Sequence, residues 1–352
     1  MATATLQNLY RSGYTPGLVN LLTSHRENFA ARIWILDNSG SMAIGDGYRI
    51  VQTSNQRTEG QRVTRWEELT QMVVEQAEVA SSLNLFTEFH FLNDPGPAIG
   101  SQTFAVGRGK YQVPQEVSQV RNLMLKAKPV GVSPLQTPLQ VIAQKIRKNR
   151  NQLMLTNRRV TVVIVTDGVP TDEDGTESDA TANEEFLSAL RCLEDLPVWV
   201  VVRLCTSEQK VVDFWNNLDA QVNLQLEVLD DHLSEAKEVA RYNKWINYAL
   251  PLHRVREMGC SDRVVDLVDE RKLTMQEVRQ FCLVVLGAKP ENLPDPTVSW
   301  NAFVKGLQAE LLNFADQWDP IRRKMRPWVD IKALNQMYGK RFLGRLKLGS
   351  TA

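Results

Sequence analysis

The sequence predicts an α/β fold, with a doubly wound, mostly parallel sheet flanked by helices and an all-helical C-terminal region. Three observations predict it. The runs "RIWIL", "VTVVIV" and "VWVVVRL" are continuous and rich in β-branched residues, the pattern of strands covered on both faces. Helical patterns alternate with these strands from about residue 30 to 245, as crossover helices between parallel strands do. Beyond residue 245 the strand signal disappears and amphipathic helical patterns take over. The expected organisation is an N-terminal helical segment over 1–27, an α/β domain over 28–245, and a helical region with a basic tail over 246–352.

Each element has a local reason. Residues 15–28 read as a helix with Leu18, Leu21 and Leu22 on one side. "RIWIL" is the first strand. The stretch from Ala43 to Val63 is polar and contains glycine, with a β-like piece at Ile50 and Val51; insertions of that length usually carry function or disorder. Thr64 followed by Glu67 is a capping box opening a helix whose Leu69, Val73, Ala77 and Ala80 keep the helical period. "LFTEFHFL" alternates as a strand, and helices follow over 115–127 and after Pro134. "VTVVIVTDG" is a buried strand ending in Asp167 and Gly168, and Thr181 with Glu184 forms a second capping box. "VWVVVRL", "EQKVVDFWNNL", "LQLEVL" and "LSEAKEVARY" then read as strand, helix, strand and helix. In the last region four amphipathic helices are expected, one opened by the capping box Thr274 and Glu277.

Composition narrows the function classes. The chain has 352 residues, is 43% hydrophobic and 23% charged, and has a formal net charge of +0, so no global field draws it to nucleic acid or membrane. No apolar run approaches the roughly 18–20 residues that span a bilayer. The first residues lack the apolar core of a secretory signal. Cys192, Cys205, Cys260 and Cys282 are dispersed, which suits reduced thiols in a cytoplasmic protein. The four histidines have no metal-ligand spacing, and Trp66, Trp199 and Trp215 read as packing residues.

The chemistry is expected at strand ends. In a parallel sheet, ligands bind outside the carboxyl ends of the strands, and both "RIWIL" and "VTVVIV" end in Asp-containing turns. In "DNSGSM", Asp37, Ser39 and Ser41 alternate, so in an extended turn their oxygens face one side. Hard oxygen donors suit Mg²⁺, with Mn²⁺ or Ca²⁺ as alternatives, rather than zinc. One carboxylate and two hydroxyls leave positions for further ligands. Asp167 can hold a metal-bound water, and "PVGVSPLQTPLQ" offers Ser133 or Thr137, each followed by proline, with Gly131 two positions before Ser133 favouring Ser133.

"DNSGSM", "PVGVSPLQTPL" and "VVIVTDGVPT" resemble, in order and separation, the three loops of von Willebrand factor A domains over roughly residues 28–245. The resemblance implies a Rossmann-like sheet and a metal-ion-dependent adhesion site. Asp37, Ser39 and Ser41 match its first loop and Asp167 its third. The second loop departs from the family's Thr-Pro-Leu, because Ser133-Pro134-Leu135 stands in front of Thr137-Pro138-Leu139. What the resemblance implies is binding rather than catalysis: the open metal position accepts an Asp or Glu of a protein partner, as in intracellular scaffolds. Gly40, Met42, Asp172 and Asp174 are then candidate partner contacts.

Plainer readings compete. A Ser-Gly turn at a strand end is common, and the acidic run from Asp172 to Asp179 reads first as a solvated loop. The basic C-terminal stretch, from Arg322, Arg323, Lys324 and Arg326 to Lys340, Arg341, Arg345 and Lys347, allows an electrostatic adaptor for RNA or anionic lipid. A metal-assisted hydrolase is the third reading. Against catalysis, Ser41 lies in no nucleophile elbow and no phosphate loop is present.

Overall fold

A computed structural model describes residues 2–52, 57–109, 112–172, 180–260 and 262–339. Helices α1 (Ala2–Arg11) and α2 (Pro16–Asn28) lead into β1 (Phe29–Leu36). A hairpin, β2 (Gly47–Gln52) and β3 (Thr58–Val63), precedes α3 (Arg65–Leu83), β4 (Thr87–Phe91), β5 (Thr103–Val106) and α4 (Val113–Lys126). Helices α5 (Gln136–Lys148) and α6 (Arg150–Leu155) lead to β6 (Arg159–Thr166). Then come α7 (Ala180–Arg191), β7 (Val198–Leu204), α8 (Gln209–Asn216), β8 (Leu226–Leu229) and α9 (His232–Asn243). The last stretch holds α10 (Leu250–Glu257), α11 (Arg263–Glu270), α12 (Met275–Leu286), α13 (Trp300–Leu311), the hairpin β9 (Gln317–Asp319) and β10 (Lys324–Arg326), and α14 (Ile331–Leu334).

The central sheet runs β5-β4-β1-β6-β7-β8. Every pairing in it is parallel except β4 with β5. Strand alternation explains why the long apolar runs are needed on both faces. Ile33, Ile35, Val162, Ile164, Val200 and Val202 join a core with α5, α7 and α8. Their neighbours Trp34, Leu36, Val163, Val165 and Val201 join a second core on the other face. That second core is continuous from α1 and α2 through α3 and α4 to α10, α12, α13 and α14. The N-terminal segment and the C-terminal helical region therefore share one apolar interior with the sheet.

Caps and close approaches fix the joints. Thr64 and Glu67 form the expected capping box at α3, and Thr274 with Glu277 forms the one at α12. The expected box of Thr181 with Glu184 falls at the start of α7 (Ala180–Arg191), where the Thr181 side chain and residues 173–179 lie outside those described. Thr15 caps α2 and donates its hydroxyl to the Val285 carbonyl of α12. At that contact Gly17 lies so close to α12 that a Cβ would sit 2.1 Å from the Val284 carbonyl oxygen, so only glycine fits.

The sequence reading misses some elements. Strand β5 is a four-residue edge with no long apolar run. The expected loss of strands after residue 245 is corrected by the β9–β10 hairpin and by a bridge between Ile246 and Val329. Three-residue strands leave almost no periodic signal. The polar insertion is a full hairpin, with the β-like piece at Ile50 and Val51 paired to Gly60 and Glu59.

A buried ionic network joins the sheet to the C-terminal helices. Arg203 of β7 bonds Glu68 of α3 and Glu257 of α10. Arg254 donates to both Glu257 oxygens at 2.8 and 2.9 Å, and reaches Glu75 at 2.7 Å. Burial acts to raise the Glu257 carboxyl, but the Arg254, His253 and Arg203 interactions outweigh it and hold it well below the usual range. On the other face, Glu88 of β4 binds His90 at 2.7 Å and Lys145 of α5 at 2.5 and 2.6 Å.

Two predictions follow from these charges. Glu257→Ala leaves Arg203 and Arg254 buried without that partner and is expected to cost about 3–5 kcal/mol, read by urea unfolding; a loss below about 1 kcal/mol would contradict the network's role. The His90 hydrogen bond, with help from Lys145 against burial, lowers the Glu88 pKa to about 2. Its folded pKa therefore lies below the unfolded value of about 4.3. The contribution is complete above that unfolded value and is lost as pH falls toward about 2. Melting curves from pH 6 to pH 2 should show a shallower acid limb for Glu88→Gln than for the wild type.

Candidate functional site

Strand addition reverses direction between β1 and β6, because β4 and β5 lie to one side of β1 and β7 and β8 lie beyond β6. Ligands in open α/β sheets gather at such a reversal. The two strands end there in step: Leu36 pairs with Val165, and the Asp37 N–H donates to the Val165 carbonyl at 2.9 Å. Asp37 and Asp167 thus emerge side by side.

Most of the predicted site residues meet at this rim. Ser41 Oγ donates to Asp167 Oδ1 at 2.8 Å. Having one proton, Ser41 then accepts from Ser39 Oγ, 3.0 Å away. Asp37 Oδ1 accepts the Ser39 N–H at 2.8 Å, and Asp37 Oδ2 accepts Ser133 Oγ at 3.2 Å. The cluster is deep: Asp37 is 0% and Asp167 2% exposed, with Ser41 half-buried at its mouth.

The second-loop ambiguity resolves in geometric terms. Ser133 is buried against Asp37, whereas Thr137 lies in the first turn of α5 and is exposed. Gly40 is exposed beside the cluster, its N–H bonded to the Gly131 carbonyl at 3.0 Å. Met42 is corrected: it is 0% exposed and part of the core, so it presents nothing to a partner. Asp172 is half-buried just past the third loop. Asp174 lies outside the described residues, as do Lys340, Arg341, Arg345 and Lys347. Of the described basic residues, Arg322 and Arg326 are paired with Asp319, while Arg323 and Lys324 are exposed.

Several residues of the site escape sequence reasoning. Thr166 Oγ1 donates to Asp37 Oδ2 at 2.7 Å, and its hydroxyl directly before Asp167 is the signal that marks it. Asn38 and Asn93 lace the loops together: Asn38 Oδ1 accepts the Asn93 N–H at 2.7 Å, and Asn93 Nδ2 donates to the Val132 carbonyl at 2.8 Å. Thr171 Oγ1 accepts the Ser133 N–H at 3.0 Å, joining the second loop to the third. Arg65 donates Nη1 to Asp167 Oδ2 at 2.9 Å across 102 positions of sequence. Nothing in the local pattern ties that arginine to the rim.

The electrostatics are uneven. Burial raises the Asp37 carboxyl first, and the nearby Asp167 charge raises it further, against lowering bonds from Ser39 and Thr166. Asp37 is thus a buried acid whose recorded donors are all neutral. No group of three or more His, Cys, Asp and Glu suited to a metal occurs among the described residues. The oxygens here are of a different kind, two carboxylates with three serine hydroxyls. Their separations of 2.8, 3.0 and 3.2 Å are hydrogen-bond lengths. Hard oxygens of this kind are donors that Mg²⁺, Mn²⁺ or Ca²⁺ accept, unlike the sulfur and nitrogen that zinc prefers.

A cleft of about 980 Å³ lies elsewhere, between α1, the β2–β3 hairpin, α3, α4 and β9. Its walls hold none of the strand-end oxygens. Among the described residues no helix is long and apolar enough to cross a membrane.

No family model matches the chain, and no curated protein matches it. Among solved structures, one similar chain is the pilus adhesin SpaC from Lactobacillus rhamnosus GG in its open conformation, at 14% identity and a TM-score of 0.36. The match covers 58% of this chain and 28% of that one, and at that score it carries no argument.

Gly131 tests the lacing of the loops. It has φ +83°, and a Cβ there would lie 2.7 Å from Asn93 Oδ1. Gly131→Ala is expected to cost about 1–2 kcal/mol in denaturant unfolding. It should also speed hydrogen exchange at the Gly40 amide, which bonds the Gly131 carbonyl. Unchanged exchange would show that the first two loops are not coupled through this glycine.

Proposed function

We propose that this protein is a metal-dependent protein-binding module of the von Willebrand factor A type, capturing an acidic residue of a protein partner at the rim. The observation that carries this reading is the meeting of Asp37, Ser39, Ser41, Ser133 and Asp167, drawn from three separate loops, at the sheet's reversal point. The hard-oxygen donor set suits Mg²⁺, with Mn²⁺ or Ca²⁺ as alternatives. When bound, the ion supplies a Lewis-acidic position for an outside carboxylate.

The chain's own residues do the rest. Ser39 and Ser41 offer neutral oxygens, which leave a divalent ion less than fully neutralised. Ser133 and Thr166 hold the Asp37 carboxylate in one orientation. Exposed Gly40 and Gly131 keep the mouth free of side chains, and a Cβ at Gly168 would meet only open space. Ile44 and Val130, 45% and 51% exposed on the first two loops, give a partner apolar footing beside the mouth.

The test is calorimetric titration of Mg²⁺ and Mn²⁺ into the wild type, Asp37→Ala and Ser41→Ala. Asp37→Ala is expected to weaken binding at least about tenfold, the range over which one lost carboxylate contact acts. Partner capture by the wild type should vanish in EDTA and in Asp37→Ala alike. Equal metal affinity in the wild type and Asp37→Ala would sink the reading. A capture that ignores EDTA but falls steeply with salt would favour an electrostatic adaptor instead.

A further inference from the structure

Arg65, the first residue of α3, is 2% exposed and faces three carboxylates. Its Nε and Nη2 meet both oxygens of Asp46 at 2.7 Å each, Nη2 also reaches Glu208 at 2.8 Å, and Nη1 reaches Asp167 at 2.9 Å. These acids come from three places: the turn after the first loop, the end of β6, and the residue before α8. A guanidinium stays charged under all ordinary conditions. Burial acts to lower the Arg65 pKa, and the bonds to Asp46, Glu208 and Asp167 outweigh it and raise it.

The consequence for the rim is asymmetry between its two acids. Asp167 has given Oδ2 to Arg65, so only Oδ1 turns to Ser41, and its charge is shared with a fixed cation. Asp37 receives bonds from the Ser39 amide and the Ser133 and Thr166 hydroxyls, all neutral. An ion seated among these oxygens meets one unshared carboxylate charge rather than two. It keeps more of its own charge for an anion from outside.

We infer that Arg65 is a positioning residue that sets the partner preference of this site, weakening its hold on the divalent ion and strengthening its hold on an external carboxylate. The inference rests on the metal-site reading above and concerns what that site selects. Arg65 touches neither ion nor partner. It acts through the orientation and charge of Asp167.

The test uses Mn²⁺ alone as the first probe, followed by water-proton relaxation, and acetate as the carboxylate probe, read by its displacement of Mn²⁺-bound water. Arg65→Gln should bind Mn²⁺ about tenfold more tightly, as expected for loss of one nearby positive charge in a partly screened site. It should also require more acetate for the same displacement. Arg65→Lys keeps the charge and should hold Mn²⁺ within about threefold of wild type, a difference of about 0.7 kcal/mol. Should Arg65→Gln not fold, Glu208→Gln serves, because the Glu208 side chain is 60% exposed. Freeing Arg65 from that acid should weaken Mn²⁺ binding and strengthen acetate binding. Mn²⁺ and acetate affinities that move together, or not at all, overturn the inference while leaving the metal site standing. Absence of Mn²⁺ binding in the wild type and in every variant overturns both.

Discussion

The hydrogen bond from the Asp37 N–H to the Val165 carbonyl is the contact on which the rim depends. It carries the parallel ladder of β1 and β6 one step beyond the last strand pair, Leu36 with Val165. Parallel pairing sends both strands out at the same edge, and the in-step register brings Asp37 level with Thr166 and Asp167. A one-residue slip would turn every side chain of β1 to the opposite face. It would place Trp34 and Leu36 in the core of α5 and α7, and would carry Asp37 away from Ser133. The large residues on one face and the β-branched residues on the other thus protect the site as well as the core.

Burying two acids this close imposes the rest of the design. An ionised carboxylate removed from water needs hydrogen bonds or opposite charge. The chain answers differently for each: neutral donors for Asp37, a guanidinium for Asp167. The first answer leaves a carboxyl whose charged form is disfavoured by burial and by its neighbour. Perturbed acids of this kind collect at functional sites. The second answer needs Arg65, which in turn needs Asp46 and Glu208 to satisfy its remaining N–H groups. The hairpin insertion begins immediately after Asp46, so the long polar stretch contributes a ligand for the arginine rather than for an ion.

Much of this was legible because it is local. The alternating spacing of Asp37, Ser39 and Ser41, the β-branched run before Asp167, and the capping boxes at Thr64 and Thr274 all act within a few residues. The choice between Ser133 and Thr137 was only partly legible: Gly131 leaned toward Ser133, but both are hydroxyls before proline, and the loop's path is what separates a buried one from an exposed one. Met42 misled for the same reason: beside Ser41 in sequence, it turns into the core. Arg65, Asn93 and Glu208 belong to the site through long-range contacts that have no periodic signature. The C-terminal helices gave their amphipathic pattern away but not their destination. Their apolar faces complete the same core that covers Trp34 and Leu36, a matter of tertiary packing alone.

Helix α3 connects these parts and decides how the rim can behave. Its first turn carries Arg65 to the rim, its second carries Glu68 to Arg203 and to the Tyr48 amide, and its middle carries Glu75 and Gln76 to Arg254 and Glu257. Leu69, Met72, Val73 and Ala77 on the same helix are fully buried. Moving Arg65 by shifting α3 would break buried ion pairs and open the core at once, at a cost well above the few kcal/mol that separate working conformations. The loops above it are tied by Asn38, Asn93 and Thr171. A rim held this way is preorganised, so the capture proposed above spends little free energy on ordering it. Under that proposal selectivity falls to the fixed charges, and Arg65, buried among them, sits on a helix anchored by both ion pairs and core.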